Sequence, residues 1–425
     1  MDMLRTLGQA WKIPDMRKKI IFTLLMLVVF RLGANIPVPG IDRTQLEGLF
    51  SGGQGLFEMF NLFSGGAFSQ FTIFALSITP YITASIIFNL LTISIPRLEA
   101  LSKEGTEGKK KIAQYTRYLT VVLALLQAVG LSVGLFRRAL ISTDVFSVIV
   151  IVLVLTAGTA FLMWLGEQIN EYGIGNGISL IIFAGIISAA PSAINNALIA
   201  YKDGNVGLLA LVLFCLFALL VIMGTVMVQQ GQRRIPVQYA KRVVGRKMYG
   251  GQNTHIPIKV NQAGVIPVIF SMALLQFPLT IAIFVPNSGF TAFVNQWLSP
   301  SGNPGVWIYG AINVVFIIFF TYFYTAVTFN PVEVAENMRA NGGFVPGIRP
   351  GRTTVDYLNK VMMRVTFVGA VFLAVIATMP TLLTQFTALN IGFGGTSLLI
   401  AVGVALDTMK QIESQMVMRN YKGFL

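Results

Sequence analysis

Hydrophobic residues occur along this 425-residue chain in ten long runs separated by polar stretches. The runs cover residues 20–36, 71–95, 118–136, 145–166, 177–194, 207–228, 262–284, 306–328, 361–380 and 393–409. Runs of about 17 to 25 residues are long enough, as α-helices, to cross a hydrocarbon core of roughly 30 Å. The pattern therefore predicts an all-α, polytopic membrane protein with ten transmembrane helices.

One stretch ahead of the second run breaks this pattern. Residues 61–70, NLFSGGAFSQ, begin as an apolar segment but stall at Gly65 and Gly66 and at the polar pair Ser69 and Gln70. The stretch is too short to cross a bilayer, and irregular backbone at membrane depth is tolerated only where protein or water shields it. We expect it to fold back into a cavity of the protein; the alternative is an external loop that dips into the membrane interface.

Basic residues are distributed unevenly between the loops. The chain is 55% hydrophobic and 11% charged, with 31 Lys and Arg against 17 Asp and Glu. If the N-terminus is cytoplasmic, 25 of the basic residues fall in cytoplasmic segments and 4 in external loops. Because basic loops remain on the cytoplasmic side, both termini are predicted to be cytoplasmic. The net charge of +14 then belongs to one membrane face and not to a nucleic-acid-binding domain. The polar, basic start leads into a full-length first run, so no cleavable signal peptide is expected.

Ionisable residues are rare inside the predicted spans. Among the acidic residues only Asp407 falls in a run, near its cytoplasmic end, and the single histidine, His255, lies in a loop. Ion-coupled transporters keep such groups near the midplane, and this chain has no such relay. It also lacks an ATP-binding loop, metal-ligand spacing and a nucleophile beside a histidine. We therefore expect no enzyme activity, cofactor or metal, which leaves a pore, a scaffold or a carrier of an uncharged solute. The GIGNG sequence at 173–177 follows a span, so we interpret it as a tight turn and not as a phosphate loop.

Two stripes of isoleucine recur at helical spacing in the second and fifth runs. Their members are Ile78, Ile82 and Ile86 in one and Ile178, Ile182 and Ile186 in the other. Such stripes most often face lipid or a neighbouring helix, and spacing alone does not distinguish those roles from the lining of a pore. Pro80 in the second run and Pro267 and Pro278 in the seventh each remove a backbone donor, so we expect these helices to be loosened.

Several long motifs resemble the SecY family, the central subunit of the bacterial protein-conducting channel. They are LSITPYITASIIFNLL, GKKKIAQYTRY, FLMWLGEQINEYGIGNGISLIIFAGI, RRIPVQYAKR, NQAGVIPVIF, FNPVEVAENM, GFVPGIRPG and FGGTSLLI. The similarity extends in order from the first span to the last. It implies two inverted halves around an hourglass pore, at residues 20–194 and 207–409, joined by an external hinge at 195–206. Cytoplasmic segments at 1–19 and 410–425 would flank them.

The resemblance also assigns roles to individual positions. The pore ring matches Ile78, Ile82, Ile182, Ile186, Ile269 and Ile400. A short plug helix below the ring matches Asn61, Leu62, Phe63, Ser64, Gly65, Gly66, Ala67, Phe68 and Ser69, and its deletion is expected to make the channel leak ions. A lateral gate would lie between spans 2 and 3 on one side and spans 7 and 8 on the other, with Pro80 and Pro267 as its hinges.

The two longest cytoplasmic loops, 229–261 and 329–360, interleave basic with apolar and aromatic residues, so we expect ordered protrusions that dock a partner. By resemblance the partners are the SecA motor ATPase and the ribosome, with contact positions at Arg233, Arg234, Lys241, Arg242 and Arg349. SecE and SecG subunits, signal sequences, nascent polypeptides and membrane lipid are further expected partners. The predicted function is a passive protein-conducting channel of the bacterial cytoplasmic membrane. The alternatives are a carrier for a small uncharged solute and an insertase or scaffold without a pore.

Overall fold

The computed structural model is predominantly helical. It describes residues 3–42, 45, 61, 64–135, 139–142, 144–204, 207–239, 242–244, 247–249, 253–284, 288–299, 304–386 and 395–422. The first half contains α1 Met3–Lys12, α2 Pro14–Gly33, α3 Thr79–Ser94, α4 Pro96–Lys103, α5 Thr106–Gly130, a π-helical turn Leu131–Leu135, α6 Val145–Tyr172 and α7 Gly177–Lys202. The second half contains α8 Leu208–Gln230, β1 Gln232–Tyr239, β2 Arg242–Val244, β3 Lys247–Tyr249, β4 Asn253–Lys259, α9 Ile266–Phe284, α10 Gly289–Trp297, α11 Gly305–Thr328, α12 Pro331–Ala340, β5 Gly343–Phe344, α13 Arg352–Phe386 and α14 Gly395–Lys422.

Each predicted hydrophobic run overlaps one of these helices. Among the described residues, five helices are long and apolar enough to cross a membrane. A sixth span results if α3 and α4, which meet at a bend of 100°, count as one. Shorter apolar segments lie at Cys215–Gln230 and Ile266–Ala282. These helices make the chain a multi-pass membrane protein, while the number ten stays a prediction.

Helix packing divides the bundle into two groups. Helices α2, α3, α5, α6 and α7 contact one another, as do α8, α9, α11, α13 and α14. The two groups meet where α3 packs on α9 and where α7 packs on α14. The space between these two contacts is where the candidate site lies.

The prediction that the second span starts at residue 71 is wrong. Helix α3 begins at Thr79, and turns occupy residues 65–78. Phe71 and Ser77 have positive φ angles, which a continuing helix does not allow. This stretch is shielded by protein, as its backbone hydrogen bonds to the loop after α2 show: Ile73 N donates to Ile36 O at 3.0 Å and Val38 N donates to Phe71 O at 3.1 Å.

Gly158 of α6 packs directly against the backbone of this irregular stretch. A Cβ at Gly158 would overlap the carbonyl oxygen of Ile73, a backbone atom that cannot rotate away. We therefore expect Gly158→Ala to destabilise the protein by about 1–3 kcal/mol, the usual cost of overpacking. Gly310→Ala in α11 is the matched control, because a Cβ there meets nothing within 4 Å. Thermal unfolding in detergent measures both variants, and equal midpoints would contradict the expected crowding.

The basic loops depart from the all-α expectation, because they contain a small sheet. Strands β4, β1 and β5 form an antiparallel sheet in that order, and β2 pairs with β3. Ile235 and Val237, two residues apart on β1, both point into a buried core. The core also contains Ile258, Ala335, Met338, Val345 and Leu358. The described parts of the two loops around β1, β4, β5 and α12 therefore share one core, and they are called the sheet unit below. This shared core was not predicted, and the protrusion of the loops toward a partner stays a prediction.

Candidate functional site

Six isoleucines from four separate parts of the chain meet in the centre of the bundle. Ile78 and Ile82 lie at the start of α3, Ile182 and Ile186 in α7, Ile269 in α9 and Ile400 in α14. All six belong to one buried hydrophobic cluster, and none exposes more than 8% of its surface. The structure thus places every position that the resemblance assigned to the ring in this one cluster, which contains 29 buried residues among those that the structure describes.

A polar hollow of about 370 Å³ lies on the sheet side of this cluster. Ser179, Ile266 and Val404 line it, each about one helical turn from an isoleucine of the cluster. Lys259 at the end of β4 and Asp407 of α14 also line it and make it hydrophilic. The hollow therefore combines charged side chains with apolar residues that border the isoleucine cluster.

Residues 64–70 lie farther along α7 than the hollow, because Gly65 packs on Gly185 whereas the hollow is lined by Ser179. Ala67 is fully buried in the same cluster as the isoleucines. The segment is tied together by its own hydrogen bonds: Ser69 N donates to Asn61 Oδ1 at 3.0 Å, and Phe68 N donates to Ser64 Oγ at 2.9 Å. It forms turns after Ser64 instead of a continuous helix. Leu62 and Phe63, also assigned to the plug, lie outside the described residues.

Two neighbouring helices hold this segment through one carbonyl group. Arg31 Nη1 of α2 donates to Gly65 O at 2.8 Å. Ser188 Oγ of α7 lies 3.3 Å from the same oxygen and also donates to Gly185 O at 2.7 Å within its own helix. Neither residue was assigned a role from the sequence. The available signal was the position of Arg31 as a basic residue inside the first hydrophobic run.

The contact between α3 and α9 forms a closed seam. Thr79 and Ile82 face Ile269, Met272, Ala273 and Gln276 across a gap of about 10 Å³, which is at the lower limit for a single water molecule. Helix α9 is fastened to α11 behind it, because Ser271 Oγ donates to Asn313 Oδ1 at 2.6 Å. Phe270 packs edge-to-face on Phe320 and Tyr324 of α11.

The structure corrects the interpretation of two prolines at this seam. Pro80 lies in the first turn of α3, and Pro267 is the second residue of α9. A proline at a helix start removes no intrahelical hydrogen bond, so neither residue loosens its helix from within. Pro278 does lie inside α9. Any bending at Pro80 or Pro267 would therefore occur at the junction with the preceding loop.

The basic residues assigned to docking lie on the sheet unit. Arg233 and Arg234 are exposed on β1, directly after α8. Arg349 is exposed in the turn after β5, and its carbonyl accepts hydrogen bonds from the hydroxyls of Thr353 at 2.5 Å and Thr354 at 2.9 Å.

These docking positions lie on different elements. Arg233 lies near the start of β1, whereas β5, which precedes the turn of Arg349, pairs with Tyr239 at the other end of β1. Arg242 begins β2, and Lys241 lies outside the described residues.

The GIGNG sequence is a turn between α6 and α7, as predicted. Gly175 has a φ of +95°. Asn176 caps α7 by accepting a hydrogen bond from Ser179 N at 3.2 Å. Asn170 of α6 accepts one from Gly177 N at 2.8 Å. The glycines therefore serve a tight turn, which fixes the angle between the two helices.

Comparisons with known proteins agree with this architecture. The Protein translocase subunit SecY of Streptomyces galbus is 50% identical, over 100% of this chain and 100% of the relative. A solved SecY channel, described as having a plug domain that stabilises the closed state and maintains a membrane seal, aligns with a TM-score of 0.65. It is 19% identical and covers 94% of this chain and 92% of that chain.

Sec61 in the canine ribosome-channel complex from the endoplasmic reticulum aligns with a TM-score of 0.62 at 18% identity, over 94% of this chain and 93% of that chain. At these identities the two solved structures establish a shared fold. The model of the SecY family matches residues 72–409, which contain all six isoleucines, both basic loops and the α3–α9 seam. This chain therefore belongs to the SecY family.

Proposed function

We propose that the chain is the protein-conducting channel through which unfolded polypeptides cross the bacterial cytoplasmic membrane. The observation that carries this proposal is the cluster of six isoleucines, which borders the charged hollow and, farther along α7, residues 64–70. In the proposed hourglass, ten spans in two inverted halves surround this cluster, which is the constriction.

The side chains of the cluster suit a seal that does not select its substrate by sequence. Isoleucine is stiff and β-branched and offers water and ions no hydrogen bonds. A narrow apolar collar dewets when it is empty and closes around an extended chain when it is occupied. Every secretory polypeptide shares an unfolded backbone, so such a collar would pass many of them.

The α3–α9 seam is the proposed lateral gate. A signal sequence is a short apolar helix, and its transfer into hydrocarbon is favourable by about 25 cal/mol per Å² of apolar surface. Separation of α3 from α9 would let that helix reach lipid while the following chain threads the pore. The fastening of α9 to α11 through Ser271 and Asn313 favours movement of these two helices together. The same channel would then serve secretion and membrane insertion.

Transport through this pore would be driven by partners. We propose that the sheet unit faces the cytoplasm and docks the SecA motor or the ribosome, and that SecE and SecG complete the complex. The excess of basic residues on this side supports the orientation, with both termini cytoplasmic. Guanidinium groups bind carboxylates and phosphates alike, so Arg233, Arg234 and Arg349 suit both partners. No cofactor is required.

Crosslinking of a stalled precursor tests the proposed path. Photoreactive probes would be placed at Ile82, Ile182 and Ile269, and a secretory precursor would be arrested in transit. We expect adducts from all three positions, because an extended chain fills the collar. Leu219 of α8, whose side chain is 67% exposed on the outside of the bundle, is the control position and should give none. Adducts at Leu219 with none at the isoleucines would refute the proposed path.

A further inference from the structure

The carbonyl of Gly65 is a point at which residues 61–70 are attached to the surrounding bundle. It accepts one hydrogen bond from Arg31 of α2 at 2.8 Å. Ser188 Oγ of α7 lies 3.3 Å from it and shares its single proton between this carbonyl and Gly185 O, which is 2.7 Å away. Other hydrogen bonds of Asn61 and of residues 64–70 join the segment to itself or to the adjoining Phe71 and Thr72. The Gly65 carbonyl therefore forms a polar link between the segment and two helices of the bundle.

Backbone packing at the same point leaves no room for adjustment. Gly65 is buried with a φ of +63°. A Cβ there would lie 2.7 Å from Cα of Gly185 and 2.8 Å from Ser188 Oγ. Gly185 directly precedes Ile186 of the isoleucine cluster. Two glycine backbones thus touch beside the constriction, which brings the Gly65 carbonyl within reach of both donors.

The charge of Arg31 makes the first of these bonds important. Arg31 lies inside the first hydrophobic run, where an ionised side chain is costly to keep away from water. The two ion pairs found among the described residues, Lys103–Glu99 and Arg117–Glu167, do not include it. A hydrogen bond from a charged donor to a carbonyl is stronger than one between neutral groups. Displacement of residues 61–70 would remove this acceptor from the guanidinium.

We propose that Arg31 and Ser188 are positioning residues that latch residues 61–70 against the constriction through the Gly65 carbonyl. This inference rests on the proposed function, because it gives the segment the role of a plug. The latch opposes displacement of the plug and so sets how rarely the resting channel opens. A translocating polypeptide must break both hydrogen bonds before the pore is clear.

Resting chloride conductance of the purified channel complex in planar bilayers tests the latch. We expect Arg31→Gln to raise the open fraction roughly tenfold or more, because it removes a charge-assisted bond. Ser188→Ala should raise it less, about twofold, because the lost bond is neutral and shares its proton with Gly185 O. Ser188→Thr keeps the hydroxyl and should keep the parental value. Ser192→Ala is the matched control, since its hydroxyl also donates within α7, to Ala189 O, and no hydrogen bond joins it to the described residues of the plug.

A second set of channels separates the latch from a general effect on folding. Both latch substitutions would be repeated in a chain that lacks residues 61–69. We expect this deletion to leak by itself and the latch substitutions to add nothing to it, because the acceptor is gone. Parental conductance of Arg31→Gln and Ser188→Ala in a chain whose deletion leaks would overturn the latch alone. The latch alone would also be overturned if the conductance increases caused by Arg31→Gln and Ser188→Ala added fully to the increase caused by the deletion. A deletion that does not leak would overturn the proposed plug and the latch together.

Discussion

Replacing Ile82 and Ile182 together with serine is expected to make the resting channel leak ions strongly. Each change removes most of a buried side chain, which costs about 2–5 kcal/mol in a packed core. The new hydroxyls also offer water hydrogen bonds where the collar offered none. If about 1.4 kcal/mol of this cost falls on the closed state alone, the open fraction rises tenfold. Conductance in planar bilayers without a precursor measures the effect.

Ile151→Ser is the matched control for this prediction. Ile151 of α6 is 1% exposed, as deeply buried as Ile182, but it belongs to a different hydrophobic cluster. Its replacement should lower thermal stability without raising conductance. Equal leakage from both proteins would attribute the effect to general loosening of the bundle. An unchanged conductance of the Ile82 and Ile182 double variant would remove the constriction from this position and favour a scaffold without a pore.

Reversal of the charge at Arg349 is expected to abolish SecA-driven transport while leaving the protein folded. The side chain is exposed, and the local turn is held by the carbonyl that Thr353 and Thr354 bind, so Arg349→Glu should not disturb the backbone. Loss of one partner of a buried interfacial charge pair costs about 2–5 kcal/mol, which corresponds to roughly thirtyfold or more in affinity. Precursor import into inverted membrane vesicles measures transport, and SecA binding to the same vesicles measures affinity.

Arg352→Glu provides the same change of charge three residues away. Arg352 is exposed in the first turn of α13, where a negative side chain is favourable to the helix. We expect this variant to transport nearly as well as the parent. An equal loss in both variants would assign the effect to the net charge of the loop. Full transport by Arg349→Glu would remove Arg349 from the docking surface.

The sequence predicted the positions of most helices because apolar run length is a direct physical requirement of a membrane span. It failed at residues 71–78, FTIFALSI, which are as apolar as a span. Hydropathy does not distinguish a buried turn from a buried helix. A glycine at position 77 would have indicated a positive φ, but the residue there is serine. The same limit explains the wrong prediction that Pro80 loosens its helix. A proline inside an apolar run can lie at the start of a helix as well as in its interior, and hydropathy does not distinguish the two positions.

The isoleucine cluster could not be derived from spacing alone. Helical periodicity gave the stripes through Ile82 and Ile182, but the neighbour that a stripe faces depends on contacts between distant parts of the chain. The resemblance supplied that information for Ile269 and Ile400. The shared core of the loops was missed for a similar reason, because Ile235 and Val345 lie far apart in sequence and neither loop buries its apolar residues alone. The sequence shows Arg31 only as a basic residue inside the first hydrophobic run, which does not reveal its partner.

The shared core of the two basic loops has a mechanical consequence. One loop connects α8 to α9 and the other connects α11 to α13, so the sheet unit joins several membrane helices through one core. A partner that binds at Arg349, as proposed, would therefore also act on β1 and, through β4, on the start of α9. Its force would reach Ile269, in the first turn of α9, without any need to bend a helix.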